Sequence, residues 1–248
     1  MALTLNLQKS SSTLKLSLQK SGIHSMPVLD MAMVLDVSGS FEDEHLDGTT
    51  TDLLTRLAPW GLTFDPDKKI DILTFSNGAA SAHLVGALNE GNYQGYVKNH
   101  IIDKVPGWNG ATDYSYVLER TLKEFGWIKG EAKKAGFFGR MLGQKDEEAK
   151  AKAKKRSLVI FITDGDNNDK ERTRQVLRES EARRDEVYFL FLGVANGGGR
   201  FSFLESIGDE FGNTGFREIA NVRQFITQSD EEINAFLLDD ELIGWLKS

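Results

Sequence analysis

The chain has 248 residues, 40% hydrophobic and 27% charged, with a formal charge of −7. It holds no cysteine, which excludes a disulfide framework, a thiol nucleophile and thiolate-ligated zinc or iron–sulfur sites. Its four histidines (His24, His45, His83, His100) fall at no close metal-ligand spacing.

Apolar runs stop at about six residues where a bilayer span needs about twenty, so no membrane span is expected. The opening residues, MALTLNLQKS, lack a basic-then-apolar leader. A cytoplasmic, reducing-compartment protein is the expectation. The charge is unevenly placed: residues 129–156 carry ten Lys/Arg against four acids, a net +6, which leaves −13 on the rest. An acidic body with one basic block argues against nucleic-acid binding and sets 129–156 apart as a separate element.

Residues 1–26 contain an echo, Thr4–Ser10 against Lys15–Ser21, matching at five of seven positions. Leu5/Leu7 and Leu14/Leu16/Leu18 alternate with polar residues, which reads as two half-buried strands, a β arm or hairpin. Pro27 separates this arm from a main domain over 27–248. There Met31–Leu35 is a continuous apolar run, suited to a strand buried on both faces. Leu53, Leu54, Leu57 and Ala58 follow at helical spacing. Ile70–Phe75 reads as a second strand, with Ala82–Val85 pairing back across a turn at Ser76-Asn77-Gly78.

Tyr114, Val117, Leu118, Thr121, Leu122 and Phe125 mark an amphipathic helix. Ser157–Thr163 and Val187–Leu192 are further buried strands, with a charged helix over Lys170–Arg183 between them. Ser229-Asp-Glu-Glu232 is a capping box that opens a last helix running through Trp245. Strands alternating with helices imply an α/β fold, a Rossmann-like open, mostly parallel sheet with helices on both faces, plus the N-terminal β arm. Such sheets gather their sites at the carboxyl ends of strands, where the winding direction reverses.

Asp36-Val-Ser38-Gly-Ser40 follows the first strand, and Asp164-Gly-Asp166-Asn-Asn168-Asp169 follows the Ser157–Thr163 strand. Asn109-Gly-Ala-Thr112-Asp113 precedes the amphipathic helix. Asp36, Ser38, Ser40, Thr112 and Asp164 together offer two carboxylates and three hydroxyls, with no nitrogen or sulfur. That is a hard-cation set, suited to Mg2+, Mn2+ or Ca2+. Asp166, Asn168 and Asp169 read as supporting or helix-capping groups. The run from Asp164 is not an EF-hand loop, because Asp169 stands where glycine is needed and Gln175 where a bidentate glutamate should be.

In these three pieces the sequence resembles the von Willebrand factor type A (VWA) domain, over Val28 to the C-terminus. Asp-x-Ser-x-Ser at 36–40, Thr112 in Gly-Ala-Thr and Asp164 in Thr-Asp-Gly match its metal-ion-dependent adhesion site. Within that family it looks most like the bacterial TerF-type tellurium-resistance proteins, whose Leu-rich segments resemble the Leu-Asn-Leu-Gln-Lys arm. The resemblance implies that Ser38, Ser40 and Thr112 give hydroxyl oxygens to a divalent ion, Mg2+ foremost. Asp36 and Asp164 would bind directly or through water. One position would stay open for an acidic residue of a protein partner. The implied function is a non-enzymatic, metal-dependent binding module in an intracellular tellurium- or stress-resistance system.

Thr112 and Asp164 lie 52 residues apart, where one helix and its connections need about 25–30. Treating 129–156 as a basic insertion restores that spacing. The block reads either as a solvated charged helix or as a docking element, with Phe137, Phe138, Met141 and Leu142 as an apolar patch. Glu42-Asp-Glu44 reads as a solvated face or as a group tuning the site, and Phe41 as a candidate for the ligand rim. Gly197–Gly199 lacks a phosphate-binding frame. The competing function is a Mg2+-dependent phosphatase or phosphotransferase with Asp36 as nucleophile. It lacks the second aspartate, because Ser38 stands there, and its nearest candidate base in the chain is His45.

Overall fold

Apolar residues alternate along β1 (Asp30–Asp36) between two cores: Met31, Met33 and Leu35 face one helical layer, Ala32 and Val34 the other. The computed structural model describes residues 5–129, 153–195 and 201–248. The basic block except Lys129 and residues 153–156, with its Phe137–Leu142 patch, lies outside them, as does Gly197–Gly199.

Six strands form one sheet: β1, β2 (Lys69–Phe75), β3 (His83–Asn89), β4 (Ser157–Thr163), β5 (Val187–Val194) and β6 (Thr214–Ile219). Their spatial order is β3-β2-β1-β4-β5-β6. All neighbours are parallel except β2 and β3, which form the expected hairpin. Buried on both faces, β1, β4 and β5 read as unbroken apolar runs for that reason.

One layer holds α1 (Leu7–Lys20), α3 (Thr49–Phe64), which follows the short α2 (Glu42–Leu46), and α4 (Tyr96–His100). The C-terminal α8 (Val222–Phe225), α9 (Asp230–Leu237) and α10 (Asp240–Lys247) complete that layer. The opposite layer holds α5 (Ser115–Glu124), α6 (Lys170–Ala182) and α7 (Ser202–Glu210). The chain winds from β1 out to β3 and then returns to place β4 on the other side of β1. The junction of β1 and β4 is therefore the switch point where an open α/β sheet leaves a crevice.

The N-terminal segment corrects the expected β arm: it is a helix, packed on α3 and α9. Leu7, Ser10, Ser11, Leu14 and Leu18 are its buried face, at spacings of three, four and seven. Asn6 accepts from the Lys9 N–H as the N-cap. At the other end Gly22, at φ +82°, donates to the Gln19 carbonyl while Ile23 donates to Leu18, the Schellman arrangement. Strand-like alternation of leucines loses to a helix capped at both ends.

A second correction concerns the C-terminus. Ser229 and Glu232 do form the capping box, but the helix stops at Leu237. Asp239 then accepts from the Leu242 N–H at 2.6 Å and opens α10. A second strong N-cap ten residues after the first wins over helix continuity, and the break lets Leu237, Leu238, Leu242 and Leu246 all bury. Arg56 of α3 fixes this region from below, paired with Asp230 at 3.0 Å and donating to the Gln228 carbonyl.

The chain just before the basic block meets the block's last residues. Lys155 N–H donates to the Phe125 carbonyl at 3.2 Å, and the Trp127 indole N–H to the Lys155 carbonyl at 2.9 Å. Both sit at the amino end of β4, so seven residues of strand, about 20 Å, separate them from Asp164. The flanks of the block thus lie at the amino ends of the strands, opposite the carboxyl ends that carry Asp36 and Asp164.

Candidate metal site at the switch point

Asp36 ends β1, and Asp164 follows the last residue of β4, on adjacent parallel strands. Residues past β1 continue extended against a second loop. Val37 N–H donates to the Phe75 carbonyl, Asn109 N–H to the Val37 carbonyl and Gly39 N–H to the Gly110 carbonyl, each at 2.9 Å. Ser38 and Gly110 form an isolated parallel bridge.

The two glycines serve close approach here rather than a left-handed turn, since neither has a positive φ. A Cβ on Gly39 would stand 2.4 Å from Asn109 Oδ1, and one on Gly110 2.6 Å from Asn77 Oδ1.

Four of the five expected ligands are joined directly. Ser38 N–H donates to Asp36 Oδ1 at 2.8 Å. The Ser38 and Ser40 hydroxyls lie 3.2 Å apart, and Ser40 donates to Asp164 Oδ1 at 3.0 Å. Thr112 sits on the neighbouring loop. Its carbonyl accepts from the backbone N–H and the side-chain amide of Asn168, at 2.9 and 3.1 Å. Its hydroxyl makes no hydrogen bond among the described residues.

The electrostatics are those of a site short of positive charge. Asp36 is 0% exposed. Burial pushes its carboxyl up to about 7, with Asp164 adding to the effect and hydrogen bonds from Thr163 and Ser38 opposing it. Burial also raises Asp164, against the Ser40 hydrogen bond and with Glu44 contributing. No lysine or arginine pairs with either carboxylate among the described residues. No group of three or more His, Asp or Glu side chains placed to hold a metal exists there either. A cation at this point would therefore depend on the hydroxyls. The donors fit such an ion: all are hard oxygens, and the two neighbouring carboxylates have no lysine or arginine partner among the described residues.

Sequence reasoning missed the groups that hold these ligands. Thr163, the last residue of β4, donates to Asp36 Oδ2 at 2.6 Å. Tyr114 donates to the Gly165 carbonyl and lies 3.3 Å from the Thr163 hydroxyl. His45 is buried beneath the Asp36 backbone. Its Nε2 lies 2.8 Å from the Asp36 carbonyl and its Nδ1 2.9 Å from Thr50 Oγ1. A carbonyl only accepts, so Nε2 carries the proton and Nδ1 accepts from Thr50.

Burial lowers His45 to about 4, against its hydrogen bond to Asp36, so the ring is neutral. It packs between Phe41 and Trp108, with its ring tilted against both. Both nitrogens are committed, and the ring is unavailable as a general base. Phe41 is itself buried in the core and does not form a ligand rim, which corrects that expectation. Of the acidic triplet, Glu42 accepts from the Asn109 side-chain amide at 3.2 Å, bracing the 109–112 loop.

Residues 28–248 match the family model vWA-TerF-like, described as the vWA found in the TerF C terminus. The chain belongs to this family. The chain is also 24% identical to the uncharacterized protein YcbR of Bacillus subtilis (strain 168), over 98% of this chain and 87% of that protein.

Among solved structures it is similar to the N-terminal domain of TFIIH p34, at 14% identity and TM-score 0.47, covering 81% of this chain and 95% of that one. It is likewise similar to manganese-loaded TRAP protein of Plasmodium vivax, at 14% identity and TM-score 0.43, covering 82% and 73%. Proximal thread matrix protein 1 from the mussel byssus matches at 14% identity and TM-score 0.48 over 86% of this chain, which spans about half of that protein. Among the described residues, no helix is long and apolar enough to cross a membrane.

Proposed function

We propose that this vWA-TerF-like domain is a non-enzymatic binding module. Asp36, Ser38, Ser40, Thr112 and Asp164 would hold a divalent cation, Mg2+ foremost, with Mn2+ and Ca2+ as competitors. The ion would supply an electrophilic centre for a carboxylate of a protein partner. The observation that carries this reading is the hydrogen-bonded run Asp36–Ser38–Ser40–Asp164 at the β1–β4 switch point, which ends in a buried carboxylate raised by desolvation. Two carboxylates would neutralise the ion and neutral hydroxyls would leave it attractive to one more acidic ligand. A phosphatase reading finds no support in a fully buried Asp36 and a committed His45.

The setting we infer is cytoplasmic, in a tellurium- or stress-resistance system, as family membership suggests. Direct handling of tellurium oxyanions is not our expectation: without the cation the carboxylates would repel them, and only a bound ion that overcame that repulsion would admit one. Residues 129–156 are proposed as a further docking element, with no nucleic acid involved. Calorimetric titration of Mg2+ and Mn2+ into wild type and Asp36→Ala tests the site. Loss of binding in the variant is expected, and equal affinity in both proteins overturns it. Capture of a partner with Mg2+ and its release by EDTA tests the module.

A further inference from the structure

Thr112 is the one expected ligand whose hydroxyl touches none of the others, and the loop that carries it has no regular structure. Something must place that hydroxyl, and the contacts converge on two residues beyond Asp164. Asn168 grips the Thr112 carbonyl twice, through its backbone and its side chain. Asp169 takes hold of the residues that follow: Oδ1 accepts from the Tyr114 N–H at 2.9 Å and Oδ2 from the Ser115 N–H at 3.0 Å.

Helix α5 has no side-chain cap of its own, since Tyr114 stands at its N-cap position. Its cap is supplied from 55 residues away. The capping carboxylate is itself held, by the Asn167 amide at 2.6 Å and the Thr173 hydroxyl at 3.1 Å. Ordinary caps are local and stabilise one helix. This one ties the start of α5 to the loop that follows Asp164, as Asn168 ties Thr112 to it.

We propose that Asn168 and Asp169 are positioning residues that set the Thr112 hydroxyl at the cation site, an inference that rests on the metal-binding reading above. Outer groups that orient metal ligands change affinity by about 10–100-fold when removed. Asp169→Asn keeps the shape but replaces one acceptor with a donor facing a backbone N–H. Asn168→Ala removes one of the two donors to Thr112 and leaves the cap intact.

The test is a double-mutant cycle on Mn2+ affinity, read from the EPR signal of free Mn2+. Circular dichroism confirms that each protein is folded at the temperature used. Asp169→Asn is expected to weaken Mn2+ binding about 10-fold or more. In a Thr112→Ala background it should add less than about 2-fold, because the group it positions is gone. Asn168→Ala repeats the cycle with a smaller effect should Asp169→Asn fail to fold. Equal losses with and without Thr112, or no loss at all, overturn the positioning role while leaving the site intact. Unchanged Mn2+ affinity in Thr112→Ala and Asp36→Ala overturns the metal reading itself, and the positioning role with it.

Discussion

Thr163 Oγ1 lies 2.6 Å from Asp36 Oδ2, across the junction between the ends of β4 and β1. It is the shortest hydrogen bond to that carboxylate, and it comes from a fully buried hydroxyl. The same bond orients the carboxylate and favours its charged form against the effect of burial. Replacing Thr163 with Val keeps the shape of the side chain and removes the donor. We expect Thr163→Val to cost about 1–3 kcal/mol of stability, from the acceptor left buried without its partner. It should also weaken Mn2+ binding by about 10-fold, as loss of an orienting group does. Thr163→Ser keeps the hydroxyl and should retain most of the affinity. Denaturant melts and metal titration of the three proteins check this, and equal affinity in Val and Ser variants would count against it.

Charge on Asp36 should cost the metal-free fold. Its folded pKa, about 7, lies above the unfolded value of 3.8, so the folded state binds the extra proton between them. That contribution to stability is complete below pH 4 and is lost as pH rises through 7. Asp36→Asn has no such slope. In EDTA, its unfolding free energy should gain on that of wild type by on the order of 3 kcal/mol as pH rises from 5 to 8, with Tm following. Excess Mn2+ should restore wild type alone. A constant Tm difference across that range would show that desolvation does not govern this carboxylate.

His45 slopes the other way. Its folded pKa is depressed to about 4 from 6.5, so the unfolded state binds more protons between those values. Stability from the neutral ring is present above pH 6.5 and is lost as pH falls through 4. Because Asp36 opposes this in the same window, the effect is best read in the Asp36→Asn background. There His45→Gln, which can still donate to the Asp36 carbonyl, should flatten the acid limb by on the order of 3 kcal/mol between pH 7 and 4. Persistence of the full acid slope in that double variant would assign it to other groups.

Much of the fold was legible because β1, β4 and β5 are buried on both faces, and buried strands leave apolar runs no helix would need. The juxtaposition of the candidate site's two carboxylates was legible for a related reason: Asp36 and Asp164 follow such runs immediately, and topology brings those ends together. What escaped were contacts between distant loops. Asp169 reads as a capping group, but nothing local in Asn-Asn-Asp-Lys at 167–170 says that the helix it caps begins 55 residues earlier. Nor does the sequence show that His45 turns inward beneath Asp36. β6 was missed because Thr-Gly-Phe-Arg-Glu-Ile is an edge strand with two charges and no apolar run.

The misread N-terminus gives the sharpest check, because strand and helix assign its leucines differently. In an alternating strand, Leu14, Leu16 and Leu18 share one face and would count alike. In α1, Leu14 is 0% exposed against α3 and α9, while Leu16 is 57% exposed. Leu14→Ala should therefore destabilise the domain by about 2–5 kcal/mol, the range for a buried leucine whose site cannot collapse fully. Leu16→Ala should stay within about 0.5 kcal/mol, as an exposed position in a helix does. Gly22→Ala should cost about 1 kcal/mol, because its φ of +82° at the end of α1 strains any side chain. Urea melts of the three variants decide the matter. Equal losses at Leu14 and Leu16 would restore the strand and remove α1 from the layer that backs the C-terminal helices.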